Sequence, residues 1–170
     1  MKRILIIGSG GSGKSTLSIR LQKILQIPLI HLDQHYWSAN WVEPTKPDWE
    51  QKIKHLMDGE MWIMDGNYSN TLEMRLAKAD TVIFLDFPRW KCIIRVLKRN
   101  LQYHGSDRPS MAEGCPEKIS VEFLTYLWKF PQRSRPKMLR LLEFAKEEVT
   151  IYILKSDGEI ANFLKKLSSP

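Results

Sequence analysis

A glycine-rich stretch ending in lysine and serine, GSGGSGKS from Gly8 to Ser15, is the part of the chain whose residue types most directly indicate chemistry. It fits G-x-x-x-x-G-K-[ST], the P-loop, in which backbone N–H groups surround phosphates, the lysine reaches the β- and γ-phosphates and the hydroxyl holds Mg²⁺. A helix beginning near Gly13 would add its positive end. The predicted nucleotide-binding residues are Gly8, Ser9, Gly10, Gly11, Ser12, Gly13, Lys14, Ser15 and Thr16, with Ser15 also a predicted metal ligand.

The same stretch fits a second pattern. Gly8, Gly10 and Gly13 match G-x-G-x-x-G, and Asp33 lies 20 residues beyond Gly13, as in a dinucleotide-binding fingerprint. Lys14 and Ser15 favour the P-loop, because a dinucleotide turn needs neither an ammonium nor a hydroxyl there. We therefore expect ATP, and we keep an NAD(P)-dependent oxidoreductase as a less favoured alternative.

Two aspartates follow apolar runs typical of buried strands. Asp65 follows MWIM and Asp86 follows VIFL. Because ligands of open α/β sheets bind beyond the carboxyl ends of the strands, both carboxylates are expected near the phosphates. One of them should hold Mg²⁺ through water, and the other could cap the helix that Pro88 begins.

Apolar runs and amphipathic segments alternate along the chain. RILII, PLIHL, MWIM, TVIFLD and VTIYIL have the pattern of buried parallel strands, and helical patterns separate them. This order predicts an α/β fold, a three-layer P-loop sandwich with about five parallel strands and helices on both faces. On the helix after Pro88, a stripe is expected to be buried: Trp90, Ile94, Leu97 and Leu101.

Length and composition set limits on the class of protein. With 170 residues and 43% hydrophobic residues, the chain predicts one domain, 1–170. No apolar run approaches the roughly 20 residues of a membrane span, and no signal peptide is recognised, so a cytoplasmic protein without membrane contact is predicted. Cys92 and Cys115 lack metal-site spacing. A net charge of +7 suits nucleic acid and ATP equally.

The segments GSGGSGKST, HLD, WIMDGNY and VIFLDFPRWKCIIRVLKR together resemble the adenylate-kinase-like branch of P-loop kinases. Over nearly the whole chain the resemblance extends to small bacterial proteins labelled FlaR-related DNA topology modulation proteins. It implies phosphoryl transfer from ATP, with Asp65 rather than Asp86 organising the metal. It also implies that Arg95 and Arg99 contact ATP, with Arg99 also catalytic.

The resemblance further implies a short lid over the phosphates, matching residues 102–117, a stretch rich in Gly, Pro and Ser. Arg108 in this lid is a predicted ATP contact. Arg133 and Arg135 behind it are predicted catalytic residues. Helical pattern resumes at Glu117, and Pro131 and Pro136 should break or kink the helix.

The acceptor side is expected in an insertion at 34–58. Residues 32 to 74 contain no arginine, although nucleoside monophosphate kinases bind the acceptor's phosphate with arginines. A hydroxyl acceptor would instead need a carboxylate to take its proton, and Asp33 is the predicted base, alongside Lys14 among the catalytic residues. A nucleoside- or nucleotide-like molecule is the expected acceptor class.

Other polar and aromatic residues near Asp33 allow two interpretations each. His31 is expected to be packed or hydrogen-bonded rather than catalytic. Trp37, next to His35 and Tyr36, could stack on a substrate ring or join Trp41 and Trp49 in a small core. Arg75 is either an acceptor anion site or an exposed helix residue.

A function of another class competes with the kinase. A nucleotide-binding regulator that interacts with DNA and has little turnover would also use the positive charge, although no DNA-binding motif is recognised. We predict a monomer or a homodimer. The sequence does not name the acceptor.

Overall fold

The protein is described by a computed structural model over residues 1–103, 105–106 and 108–168. The predicted lid, 102–117, therefore includes two residues outside the described ones, His104 and Asp107. Within the described ranges, no helix is both long enough and apolar enough to cross a membrane.

The described strands form one parallel sheet in the spatial order β2-β3-β1-β4-β5. They are β1 (Arg3–Gly8), β2 (Leu29–His31), β3 (Trp62–Asp65), β4 (Thr81–Leu85) and β5 (Thr150–Leu154). This arrangement confirms the predicted fold class, a P-loop sandwich with five parallel strands. It differs from the 3-2-1-4-5-6 order of the dinucleotide-binding fold, and so argues against the oxidoreductase alternative.

Helices cover both faces of the sheet. They are α1 (Lys14–Leu25), α2 (Leu32–Tyr36), α3 (Lys46–Leu56), α4 (Ser69–Leu76), α5 (Arg89–Tyr103), α6 (Val121–Arg133), α7 (Arg135–Ala145) and α8 (Asp157–Ser168), with a 3₁₀ turn at Ala39–Trp41. Because successive strand residues point to opposite faces, Leu5 and Ile7 pack with α3, α4 and α7, while Ile4 and Ile6 pack with α1 and α8. The central strand is therefore buried on both sides.

Local signals explain several helix boundaries. The side chain of Thr45 accepts a hydrogen bond of 3.3 Å from the backbone N–H of Asp48, so the predicted cap begins α3. Pro131 lies within the last turn of α6, which continues to Arg133. The break falls at Ser134, and Pro136 lies in the first turn of α7, where its missing N–H costs no helix hydrogen bond.

The prediction for the buried face of α5 is wrong. Trp90, Ile94, Leu97 and Leu101 are 43 to 81% exposed, whereas Cys92 and Val96 are fully buried. The physical reason is that the backbone of α5 packs against the glycine-rich loop: a side chain at Gly11 would approach the carbonyl oxygen of Cys92 to 2.3 Å. This contact turns the apolar stripe to solvent.

The helix expected from Glu117 begins later, at Val121. The side chain of Ser120 accepts a hydrogen bond from the backbone N–H of Phe123 and caps it. Glu117 instead belongs to the segment before α6 and has a buried side chain. That segment also buries Met111 and Cys115 against Trp37 and Trp41.

Candidate functional site

The glycine-rich loop joins the end of β1 to the start of α1. Gly8, Gly11 and Gly13 have φ values of 148°, 75° and 99°, which side chains rarely adopt. Lys14 begins α1 directly after the loop. Such a loop presents backbone N–H groups and a helix N-terminus on one side, an arrangement that favours an anion.

An open cleft of about 1220 Å³ lies over this loop. Most predicted site residues line it: Gly10, Gly11, Ser12, Gly13, Lys14, Ser15, Thr16, Asp33, Asp65, Arg95, Arg99 and Arg108. Single ligands usually occupy roughly 300 to 1,000 Å³, so this volume has room for two small substrates. Gly8 and Ser9, at the start of the loop, are not part of the described lining.

Lys14 folds over the loop. Its Nζ donates hydrogen bonds of 3.0 Å to the carbonyl oxygen of Gly8 and 2.9 Å to that of Ser9. Burial lowers the pKa of Lys14, and the carboxylates of Asp33 and then Asp65 oppose that shift. The ammonium of Lys14 therefore lies near both the glycine-rich loop and the carboxylates of Asp33 and Asp65.

Asp65 is the strand-end aspartate that lines the cleft. It is buried, its Oδ1 lies 2.7 Å from Nδ1 of His31, and its Oδ2 accepts a 3.3 Å hydrogen bond from Ser18. His31, expected to be structural, therefore orients a site carboxylate. Asp86 instead accepts two hydrogen bonds from Arg135, of 2.7 and 2.8 Å, away from the described lining of the cleft.

The residues fit a magnesium nucleotide. Among the described residues, no group of three His, Cys, Asp or Glu side chains could hold a metal alone. Mg²⁺ usually takes only one or two carboxylates together with phosphate oxygens and water, so the oxygen donors of Ser15 and Asp65 suit that ion. Three arginines in the same cleft, Arg95, Arg99 and Arg108, suit the phosphates.

Each of these arginines is already paired with protein groups. Arg95 donates to the carbonyl oxygen of Ser12 at 3.2 Å and pairs with Asp157. Its guanidinium carbon lies 4.8 Å from the centre of the Phe87 ring. Arg95 therefore connects α5 to the loop.

Arg99 and Arg108 share the buried carboxylate of Glu117. Arg99 contacts Oε1 through Nε at 2.7 Å and through Nη2 at 2.6 Å. Nε of Arg108 forms an ion pair with Oε2 at 3.5 Å. Burial, and next the charge of Arg108, lower the pKa of Arg99, while Glu117 opposes the shift. Glu117 thus holds two cations together in the cleft.

The two arginines predicted behind the lid lie elsewhere. Arg133 is exposed at the end of α6, and Arg135 is bound to Asp86. Neither belongs to the described lining of the cleft. Arg133 lies at the far end of α6, whose residues Glu122, Phe123 and Tyr126 line the cleft, and Arg135 lies beyond the break at Ser134. The described conformation therefore gives these two residues no contact with the phosphate site.

Asp33 lies in the first turn of α2, just beyond the end of β2. Its Oδ1 accepts a hydrogen bond of 2.7 Å from the hydroxyl of Tyr68, and its Oδ2 accepts one of 3.0 Å from Nη2 of Arg108. Burial and then the charge of Asp33 raise the pKa of Tyr68, so the hydroxyl stays protonated and donates. Asp33 is thus held in place from two sides.

The aromatic residues after Asp33 combine the two expected roles. The rings of Trp37 and Trp41 are 5.3 Å apart, and both residues also line the cleft. Tyr36 contacts Trp49 edge-on at 5.0 Å and lies 4.5 Å from Tyr68. A small aromatic core therefore forms one wall of the cleft.

Arg75 fits neither expectation made for it. Its side chain is fully buried and donates to the carbonyl oxygens of Gly66, Asn67 and Tyr68. Burial lowers the pKa of Arg75. The guanidinium therefore shapes the loop after β3 and does not face the cleft.

Sequence reasoning missed three residues that organise the site. The sequence pattern predicts a helix at Glu117 and gives Tyr68 no role of its own. Asn67 accepts a 2.9 Å hydrogen bond from the backbone N–H of Gly8 and so joins the loop after β3 to the glycine-rich loop. The clustering of DGNY at a strand end was the available signal for Asn67 and Tyr68, whereas Glu117 had none.

In fold, the chain is similar to two solved structures. The chain resembles the shikimate kinase of Acinetobacter baumannii, solved with shikimate, with a TM-score of 0.59, 15% identity and coverage of 98% of this chain and 90% of that one. A candidate kinase from Chloroflexus aurantiacus gives a TM-score of 0.54, 17% identity and coverage of 98% and 97%. These likenesses concern the fold.

In sequence, the chain is 28% identical over 127 residues to the uncharacterized protein YqaC of Bacillus subtilis, covering 74% of this chain and 70% of that protein. No family model matches the chain.

Proposed function

We propose that the protein is an ATP- and Mg²⁺-dependent kinase that phosphorylates a hydroxyl group of a small molecule, with a nucleoside- or nucleotide-like acceptor the most natural class. The observation that carries the proposal is that Asp33 lies in the same cleft as Lys14 and the three arginines. The cleft would thus contain both a proton acceptor and a phosphate site. The kinase fold of the structural neighbours supports the same reaction class.

The phosphate groups would lie over the glycine-rich loop. Lys14 would exchange its two carbonyl partners for phosphate oxygens, and Arg95 and Arg99 would offset the charge that spreads over the transferred group. Mg²⁺, when bound, neutralises phosphate charge, and Ser15 and Asp65 would hold it. His31 and Ser18 fix the carboxylate of Asp65 for that contact.

Asp33 would act on the acceptor. Its carboxylate takes the proton of the acceptor hydroxyl as the new O–P bond forms and the bond from the γ-phosphorus to the ADP oxygen breaks. Tyr68 keeps the other carboxylate oxygen in place. The step balances, because the proton passes from the acceptor hydroxyl to Asp33 while the phosphoryl group passes from ATP to the acceptor oxygen and leaves ADP.

A hydroxyl acceptor is favoured over a monophosphate because residues 32 to 74 supply no arginine to that wall. Residues 32 to 74 contain no arginine, and Arg75, the next one, is buried on backbone carbonyls. The wall consists largely of Tyr36, Trp37 and Trp41 with the carboxylates of Asp33 and Glu43. Such a surface suits an uncharged ring with hydroxyl groups.

The resemblance to FlaR-related proteins and to the adenylate-kinase-like branch stays a hypothesis. From it we take only the proposed contacts between arginines and ATP. A role in DNA topology has no support from the kinase neighbours. We therefore propose ATP and a small molecule as the partners.

The test is an ADP-release assay with ATP and Mg²⁺ over nucleosides, nucleoside monophosphates and sugars. We expect release with a hydroxyl acceptor that Lys14→Ala abolishes and Asp33→Asn reduces at least a hundredfold. Lys98→Ala, which removes an exposed charge of α5, is the control and should change the rate less than twofold. Robust phosphorylation of a monophosphate that is insensitive to Asp33→Asn would refute the hydroxyl acceptor.

A further inference from the structure

Both carboxylate oxygens of Asp33 are occupied. Tyr68 donates to Oδ1 at 2.7 Å and Arg108 donates to Oδ2 at 3.0 Å. The hydrogen bond from Arg108 occupies a lone pair of Oδ2 that an acceptor hydroxyl would otherwise use. In this arrangement Arg108 competes with the acceptor hydroxyl for Oδ2.

Arg108 has a second attachment nearby. Its Nε pairs with Glu117, which also binds Arg99, so four side chains are linked in the order Asp33, Arg108, Glu117, Arg99. The side chain of Arg108 is 14% exposed, and it faces the cleft. The chain of charges thus runs from the acceptor base to the arginines of the phosphate site.

A nucleoside triphosphate would compete with Asp33 for Arg108. A triphosphate brings three to four negative charges and many acceptor oxygens, and a guanidinium binds a phosphate with two parallel hydrogen bonds. To Asp33, Arg108 donates only a single hydrogen bond, which one carboxylate oxygen accepts. The exchange of one anionic partner for another leaves Arg108 paired in both states.

We propose that Arg108 is shared between the two substrate sites: it binds Asp33 in the ligand-free protein and transfers to the phosphates when the nucleotide binds, which frees Oδ2 of Asp33 for the acceptor hydroxyl. Arg108 is then a positioning residue for the base as well as a phosphate contact. This inference rests on the proposed kinase function.

Competition between Asp33 and the phosphates has a measurable consequence. Asp33→Asn keeps an acceptor for Tyr68 but removes the charge that holds Arg108, so Arg108 is available to the nucleotide from the start. Nucleotide binding should become tighter by roughly two- to fivefold, the range of a partly exposed ion pair. A residue acting only as a base for the acceptor would not change nucleotide affinity in this way.

The experiment is calorimetric titration of the full chain with Mg²⁺ and the non-hydrolysable ATP analogue AMP-PNP. The four proteins of a double-mutant cycle are wild type, Asp33→Asn, Arg108→Gln and the double variant. Glu43→Gln is the charge control, because Glu43 lies on the same wall and its described partner is the hydroxyl of Tyr36, not an arginine. Thermal melts establish that each variant is folded.

We expect tighter binding in Asp33→Asn, weaker binding in Arg108→Gln, and no gain from Asp33→Asn when Arg108 is already replaced. Glu43→Gln should change affinity less than twofold. An equal gain with and without Arg108, or a similar gain in Glu43→Gln, would reveal a general charge effect and overturn the sharing of Arg108. Unchanged affinity in Asp33→Asn would overturn it as well, while leaving the kinase proposal intact.

If wild type binds no AMP-PNP, the proposed function itself fails, an outcome distinct from those above. A second measurement covers the case in which Asp33→Asn does not fold. The guanidinium ¹⁵N signals of Arg108, assigned with Arg108→Lys, should shift when AMP-PNP and Mg²⁺ are added to the wild-type chain. Signals that stay in place at saturating nucleotide would contradict the proposal.

Discussion

Arg75 donates a hydrogen bond of 3.1 Å to the carbonyl oxygen of Tyr68, and Tyr68 in turn donates from its hydroxyl to Asp33 at 2.7 Å. A fully buried cation on α4 therefore sets the position of the proposed acceptor base without touching the cleft. Tyr68 has a φ of 34°, in the left-handed region, and Arg75 holds the backbone there through three carbonyl groups. The strain at Tyr68 is thus balanced by hydrogen bonds from one side chain.

Replacing Arg75 with methionine should destabilise the protein by about 3 kcal/mol, because one buried and two partly buried carbonyl groups lose their donor at roughly 1 kcal/mol each. Urea unfolding measures the change. Arg140→Met is the matched control, since Arg140 is exposed on α7, and it should stay within about 0.5 kcal/mol of wild type. Equal effects of the two substitutions would show that the carbonyl contacts of Arg75 contribute no stability.

Replacing Gly11 with alanine should abolish nucleotide binding or the fold. The new methyl group would lie 2.3 Å from the carbonyl oxygen of Cys92, so either the loop or α5 must move. Gly105→Ala separates strain from clash, because Gly105 has a similar φ of 71° and open space around it, and should cost only about 1 kcal/mol. Thermal melts and AMP-PNP titration check both variants. Nucleotide binding by Gly11→Ala at wild-type affinity would contradict the packing.

Replacing Glu117 with glutamine should destabilise the ligand-free protein by about 1 to 3 kcal/mol, since two partly exposed arginines lose their shared carboxylate. Pyrophosphate offers those arginines a new anion, so it should raise the melting temperature of Glu117→Gln more than that of wild type. Glu143→Gln, which breaks an exposed pair with Lys146, is the control and should behave as wild type. A smaller pyrophosphate shift in Glu117→Gln would count against the shared carboxylate.

Asp65→Asn and Asp86→Asn should respond differently to magnesium. Loss of the Asp65 carboxylate removes the proposed metal contact, so AMP-PNP affinity should hardly differ with Mg²⁺ or EDTA. Asp86→Asn only weakens the pair with Arg135, and its affinity should keep the full dependence on Mg²⁺. Titrations in both buffers decide the point, and the reverse pattern would assign the metal to Asp86.

Asp80 should make the free energy of unfolding depend on pH in the acidic range. Burial raises the pKa of Asp80, but hydrogen bonds from Thr81, Arg3 and Lys2 outweigh it, and the pKa is lowered. A carboxyl with a depressed pKa binds protons more readily in the unfolded chain, so its contribution is complete above about pH 4 to 5 and disappears as pH falls through the folded value. Asp80→Asn should therefore lose less stability between pH 6 and pH 3 than wild type in urea unfolding. Parallel losses would contradict the assignment.

Much of the fold could be predicted because its signals are local. The strand before Gly8, the glycines and the amphipathic helix after Lys14 follow each other within 25 residues, and each has its own residue pattern. The alternation of such units then determines a parallel sheet. The cleft at the carboxyl ends of its strands, with Lys14, Asp33 and Asp65, follows from the same rule.

The parts that could not be predicted depend on contacts between distant segments. Glu117 becomes a site residue only because Arg99 and Arg108 approach it. Arg75 is buried because the loop after β3 turns its carbonyl groups inward. In both cases a charged side chain usually indicates solvent exposure, and only its tertiary partner reverses that expectation.

The contact between Gly11 and Cys92 has an evolutionary consequence. On the Cys92 side it is made by a backbone oxygen, which every amino acid presents in the same place, so substitutions at position 92 leave this contact unchanged. At position 11, by contrast, any side chain would collide with that oxygen. Relatives that keep this helix against the loop should therefore keep glycine at position 11. Residue types at positions 11 and 92 should not vary together among these relatives, although the two residues are in contact.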